Sequence, residues 1–290
     1  MDRINLAESA EDMHDATTDF PTEALLESAR HLDRLPTGEM LRLIHEEDAK
    51  AHAAVGRVLP AIEEAVDVLV TALSGGGRWF NVGAGTSGRL GVLDASEMPP
   101  TYGVTPRMVQ GVIAGGDRGL RHPVEGAEDQ SESAIFELQE RGLTLGDAVV
   151  AISASGRTPF AMGALEAAHA VGARRIAITC DPGSPLAEAA EVAITPEVGP
   201  EVVAGSTRMK GGLAQKMVLA ALSTTVMVKL GRVRGNMMTH VTPVSSKLRG
   251  RAVRIVMSLG RVDRRVAREA LRETEGCVES ALQRLGGIES

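Results

Sequence analysis

The chain has 290 residues and a net charge of −7, with 43% hydrophobic, 24% charged and only 2% aromatic residues. That charge argues against a phosphate-backbone footprint, and six aromatics leave no stacking platform, so nucleic acid is not an expected partner. Two cysteines are too few for a disulfide framework or a structural metal site, and neither pairs with a histidine in a nucleophile pattern. Both read as small core residues.

In chain order, residues 1 to about 22 are acidic and aperiodic and read as a mobile arm. Apolar residues then recur at three- and four-residue steps through Leu41, Ile44, Ala51, Val55, Ile62 and Val66, which predicts helix to about Leu73, with a start or kink at Pro60. The Ser74–Gly77 run stops it. Five short apolar runs follow, RWFNVG (78–83), MVQGVIAGG (108–116), DAVVAIS (147–153), RRIAITC (174–180) and EVAITP (191–196). They alternate little and are joined mainly by helical stretches, which predicts an α/β fold with a parallel sheet covered on both faces. A long helix is expected over 206–230, then a glycine-rich break and two or three short charged helices from Ser246. The expected division is an N-terminal arm and helices (1–68), an α/β unit (69–232) and a C-terminal helical region (233–290). No apolar run reaches the ~18 residues of a membrane span and no signal segment opens the chain, so a cytoplasmic protein without membrane contact is expected.

The loop after the first strand, GAGTSGRL (83–90), satisfies G-x-G-x-x-G, yet the second strand lacks the ribose-binding acid at the right distance. What it offers is Thr86, Ser87 and Gly88 at a helix start, a seat for a phosphate dianion or simply a capped turn. A second loop, SASGRTP (153–159), brings Ser153, Ser155, Gly156 and Thr158. In a flavodoxin-like strand order both loops meet at the switch point, where ligands bind. Arg89 and Arg157 either assist or face solvent. Ser206 and Lys210 in GSTRMKGG (205–212) either close the pocket or open the long helix. Between the loops, Glu97 sits among small and apolar residues on a helix that Pro99-Pro100 is expected to close, poor company for a solvent-facing acid, and Glu128 belongs to a second acidic cluster. Two carboxylates from different segments near a phosphate suit paired acid and base chemistry. His122 and His240 stand isolated.

The strings NVGAGTSGRLGVLDASEMPPTYG (81–103), IAGGDRGLRHPVEGAEDQ (113–130), SASGRTPF (153–160), DPGSPLA (181–187) and GPEVVAGSTRMKGGLAQKMV (199–218) resemble the N-acetylmuramic acid 6-phosphate etherases, in order and with matching spacing. These enzymes belong to the sugar isomerase (SIS) domain superfamily. The resemblance implies an SIS-type five-stranded parallel sheet flanked by N-terminal helices and a small helical tail. It also implies cleavage of a D-lactyl ether without cofactor or metal, in a homodimer with the site near the interface. Glu97 would protonate the departing lactate, Glu128 would act at C2, and the two hydroxyl loops would hold the phosphate. Leu213, Ala220, His240 and Ser246 depart from the family pattern. A non-catalytic sugar-phosphate-binding regulator is the alternative, since SIS domains also serve as sensors. A nicotinamide dehydrogenase built on the GAGTSG loop is the third reading.

Overall fold

The computed structural model describes residues 20–241, 243 and 245–286. The arm expected over residues 1–22 therefore lies outside the described residues up to position 19. Thr22, at its end, is buried.

Two short 3-10 turns, Glu27–Ala29 and Leu32–Arg34, lead into helix α1 (Thr37–Arg57) and helix α2 (Leu59–Ser74). Pro60 occupies the first turn of α2, where its missing N–H leaves no carbonyl unpaired. The chain leaves α2 through Gly76 at φ +84°, and a Cβ on Gly77 would lie 1.9 Å from the Gly146 carbonyl oxygen. Only glycine fits that crossing.

Strands β1 (Trp79–Gly83), β2 (Val109–Ile113), β3 (Ala148–Ile152), β4 (Arg174–Ile178) and β5 (Val192–Ile194) form one parallel sheet in the order β2-β1-β3-β4-β5. Helix α3 (Gly85–Tyr102) joins β1 to β2. Helices α4 (Gly116–Arg121) and α5 (Ser131–Glu140), with a 3-10 turn at Ala127–Asp129 between them, lead to β3. Helix α6 (Pro159–Val171) follows β3, and α7 (Pro185–Ala189) follows β4. Alternate strand residues serve opposite faces. Trp79, Ala148, Val150 and Ile152 pack in one cluster with α1, α2 and the long helix α8 (Lys210–Lys229), while Phe80, Val149 and Ala151 pack in another with α5 and α6. Because both faces are buried, the runs read as continuous rather than alternating.

Below the sheet, Asp147 ties β1 to β3. Its carboxylate accepts from Arg78 N at 2.7 Å, Nε at 3.1 Å and Nη2 at 2.7 Å, and from Thr144 N and Oγ1 at 2.8 and 3.0 Å. Burial alone would push this carboxyl up, but the Arg78 and Thr144 donors outweigh it and hold the group below the usual carboxylate range.

Helix α8 is long and apolar enough to cross a membrane by length and composition, yet 56% of its apolar window is buried and it packs against α1, α2 and α3. It starts at Lys210, four residues later than Ser206, because 205–209 is taken up by turns that begin with Gly205 at φ +72°. After it come the two-residue strands β6 (Val233–Arg234) and β7 (Met237–Met238), then α9 (Ser246–Gly260), α10 (Arg264–Glu273) and α11 (Val278–Arg284), which enclose their own small apolar cluster.

Two further expectations change. Pro99 and Pro100 do not close α3, which runs on to Tyr102. The Pro99 carbonyl still serves the helix end, accepting from Gly103 N at 3.0 Å. The stop belongs to Gly103, at φ +63° and so close to His240 that a Cβ would lie 2.3 Å from its carbonyl oxygen. Cys277 is not a core residue: it is exposed, at the N-terminus of α11. Cys180 is buried, and that burial pushes its thiol up to about 12.

Candidate functional site

The chain reverses direction across the sheet between β1 and β3, and the loops leaving these neighbours open a crevice at their C-terminal ends. Helix α3 begins directly at Gly85, with Ala84 preceding it and no side chain capping the end. The amides of Gly85, Thr86 and Ser87 thus lack carbonyl partners within the helix and carry the positive end of its dipole. Gly88 lets the helix meet the strand: a Cβ there would lie 2.4 Å from Gly83 O. Its role is close packing beneath the loop. Thr86 is half-buried, while Ser87 is buried and donates to Gln215 Oε1 at 3.0 Å.

The second loop is organised by Ser153. Its hydroxyl is 2.8 Å from Thr158 Oγ1 and 3.4 Å from Ser155 Oγ, and it accepts from Gly156 N at 3.1 Å. Ser153 is 3% exposed, so it braces the turn, whereas Ser155 and Thr158 stay half-open. Gly156 stands at φ +67°. Pro159 opens α6 behind the loop.

Helix α8 backs both loops through glycine: a Cβ on Gly211 would sit 3.3 Å from Ala154, and one on Gly212 3.3 Å from Thr86. The N-terminus of α8 is already filled. Glu201, 1% exposed, accepts from Lys210 N at 3.0 Å and Gly211 N at 2.9 Å. The Lys210 ammonium, also 1% exposed, donates to Glu47 Oε2 at 2.5 Å, and Lys50 holds the other Glu47 oxygen at 2.6 Å. Burial raises the Glu47 carboxyl, but the two lysines outweigh it and lower its pKa. Lys210 is therefore directed to α1 rather than into the crevice. Ser206 does not cap α8, whose end Glu201 occupies. Arg157 is likewise engaged elsewhere, 2.9 Å from Asp181 Oδ2 and with its guanidinium 4.2 Å from the Phe20 ring centroid.

Beside the first loop, a cavity of about 190 Å3 is lined by Gly85, Arg89, His122, Glu125 and Glu128 among others. Glu128 lies on the 3-10 turn after Gly126, which adopts φ +68°. Glu97 stands elsewhere: it is twelve residues beyond Gly85 on α3, about 18 Å along the axis at 1.5 Å per residue. It is exposed, despite its apolar sequence neighbours. Ala95 and Met98 are buried, while Glu97 lies one turn beyond the exposed Leu93. One chain alone thus presents Glu128 at the crevice and Glu97 on the helix flank. One turn before Glu97, Asp94 is 5% exposed, accepts from Ser223 Oγ at 3.0 Å and lies 3.9 Å from Lys216. Burial pushes its carboxyl up to about 6, and nearby Glu97 adds to the rise.

Glu201, Gln215 and Glu47 were not apparent from motif reading. For Glu201 a signal existed, an acid between Pro200 and Val202-Val203. Gln215 and Glu47 meet partners 128 and 163 residues away, so no local pattern announces them.

Residues 61–169 match the family described as the glucokinase regulatory protein N-terminal SIS domain, and residues 135–225 match the SIS domain. Among solved structures, a phosphoheptose isomerase from Francisella tularensis superposes with a TM-score of 0.51 at 18% identity, covering 67% of this chain and 100% of that one. A phosphoheptose isomerase from Neisseria gonorrhoeae gives 0.50 at 18% identity, covering 66% and 99%. These show the fold. The sequence relatives are closer: N-acetylmuramic acid 6-phosphate etherases of Escherichia coli (strain SMS-3-5) and Shigella dysenteriae serotype 1 (strain Sd197) are each 53% identical over 235 residues, 81% of this chain and 79% of theirs. The chain belongs to the N-acetylmuramic acid 6-phosphate etherase family, built on an SIS fold.

Proposed function

We propose that this chain is a carbon–oxygen lyase that converts N-acetylmuramic acid 6-phosphate and water to N-acetylglucosamine 6-phosphate and D-lactate, in cell-wall amino-sugar recycling. The observation that carries the reading is 53% identity to the etherases across 81% of the chain. The two loops at the β1–β3 crevice support it, because they present first-turn amides and the hydroxyls of Thr86, Ser155 and Thr158 to a phosphate.

In this reading the ring-opened substrate exposes an aldehyde at C1, which acidifies the proton on C2. Glu128 takes that proton, the C2–C3 double bond forms, and the C3–O bond breaks. Glu97 supplies a proton to the departing lactate oxygen. Water then adds across the double bond, its oxygen to C3 and a proton to C2. Thr86, Ser87 and Gly88 with Ser153, Ser155, Gly156 and Thr158 form the phosphate seat, in which Gly88 and Ser153 shape the loops rather than touch the ligand.

The separation of Glu97 from Glu128 supports a homodimer in which one copy's α3 flank closes the other copy's crevice. Leu93 is 44% exposed one turn from Glu97, and Leu213 on adjoining α8 is 37% exposed, an apolar surface suited to a second copy. A phosphosugar that also bears a carboxylate is multiply charged and does not cross a bilayer unaided, so we assign the enzyme to the cytoplasm, where its substrate is retained. D-lactate release from N-acetylmuramic acid 6-phosphate tests the activity. Sugar-phosphate binding without any release would establish the regulator instead.

A further inference from the structure

The cavity beside Glu128 contains a cation that the phosphate loops do not explain. Arg89 lies in the first turns of α3, half-buried, and its Nε donates to Leu120 O at 3.1 Å. That bond fixes the plane of the guanidinium and leaves its terminal nitrogens available. Glu125 and Glu128 line the same cavity, yet among the described residues no carboxylate forms an ion pair with Arg89, whose partner is the Leu120 carbonyl. Ser87, two residues earlier on α3, faces Gln215, so Arg89 and Ser87 serve different sides of the helix. His122, which ends α4, completes the wall.

The substrate carries two anionic groups. Its phosphate belongs to the β1–β3 crevice, and its C2 must reach Glu128. The lactyl ether is attached at the next carbon, C3, so its carboxylate necessarily falls close to Glu128. An anion beside an anionic base repels it unless a cation intervenes. A guanidinium is the side chain best matched to a carboxylate, through two parallel N–H···O bonds. Arg89 is the arginine in this cavity.

We propose that Arg89 binds the lactyl carboxylate, with His122 as a second donor, so that this cavity distinguishes muramic from glucosamine 6-phosphates. The proposal rests on the etherase reading. Its test compares two ligands that differ only in the lactyl group: KM for N-acetylmuramic acid 6-phosphate, and the inhibition constant of the product N-acetylglucosamine 6-phosphate, in the same lactate-release assay. Arg89→Ala is expected to raise KM roughly ten- to hundredfold while the product's inhibition constant stays put. Arg89→Lys, which keeps the charge but not the fork, should fall between, and His122→Ala should shift KM alone by a smaller factor. Parallel loss of both ligands, in Arg89→Ala and in the milder Arg89→Lys, would assign Arg89 to the phosphate or the fold and overturn the proposal. An unchanged KM would overturn it as well. Failure of the etherase reading is separately visible, as absence of lactate release by the unsubstituted protein.

Discussion

Gly156→Ala puts a methyl group where the second loop has no room. The added Cβ would lie 2.1 Å from Ser184 Oγ, 2.4 Å from Ser184 Cβ and 2.7 Å from Thr179 Oγ1. Ser184 cannot yield freely: it is fully buried, donates to Asp181 O at 2.7 Å and caps α7 through Ala187 N at 3.4 Å. Overpacking of this kind costs about 1–3 kcal/mol. Alanine at φ +67° adds about 1–2 kcal/mol of backbone strain. The total of about 2–5 kcal/mol corresponds to a fall in Tm of roughly 5–15 °C for a domain of this size. Gly142 is the control, since it has φ +66° but nothing within 4 Å of a Cβ. Gly142→Ala should show the strain alone, about 1–2 kcal/mol. Thermal unfolding of the two variants separates packing from strain. The displaced loop should also raise KM about tenfold in Gly156→Ala, since ~1.4 kcal/mol of lost phosphate binding suffices, and leave it unchanged in Gly142→Ala. Equal melting shifts for both, with KM unmoved, would refute the reasoning.

Asp147→Asn should cost about 3–5 kcal/mol in denaturant unfolding at pH 7, because the buried carboxylate's removal leaves Arg78 without its counter-charge. Since the folded protein lowers that carboxyl, the wild-type contribution is present above pH ~4 and fades as pH falls through the lowered value, so wild type and variant should converge in acid. Asp94 has the opposite sign. Its rise from 3.8 to about 6 means stability is full below pH 3.8 and declines as pH climbs through 6. Asp94→Asn should therefore be more stable than wild type at pH 8, by on the order of 2 kcal/mol, and lose that advantage at pH 4; a variant less stable at pH 8 would contradict this. Glu47→Gln strands the Lys210 ammonium and should cost about 3–5 kcal/mol, whereas the Glu47→Leu/Lys210→Met pair should recover most of that loss in chemical unfolding. Unchanged KM in the double variant would confirm that Lys210 secures α8 rather than the phosphate.

The sheet was legible because its strands are short apolar runs bounded by glycine and charge, and because the loops after β1 and β3 share a hydroxyl-and-glycine chemistry. Their convergence followed from strand order alone. What escaped reading depends on contacts between distant segments. Glu201 rather than Ser206 caps α8, since a carboxylate nine residues upstream of Lys210 folds back onto it. Lys210 and Arg157 read as available cations until Glu47 and Asp181 appear beside them. Apolar neighbours in sequence suggest a buried Glu97, but on a helix those neighbours occupy other faces, and the buried acid of that segment is Asp94. His122 shares a cavity with Glu128 on its own segment, but it meets Gly85 and Arg89 there only because the turn after α4 lies beside the start of α3.

Elimination and hydration predict where solvent atoms finish, and that is the most direct test. The protein is incubated with N-acetylmuramic acid 6-phosphate, in deuterium oxide and, separately, in water enriched in heavy oxygen, and the products are analysed by mass spectrometry and NMR. The account predicts deuterium at C2 and solvent oxygen at C3 of the sugar, with D-lactate keeping the original ether oxygen. Solvent oxygen found in lactate, or a C2 position left unexchanged in the product, would contradict it.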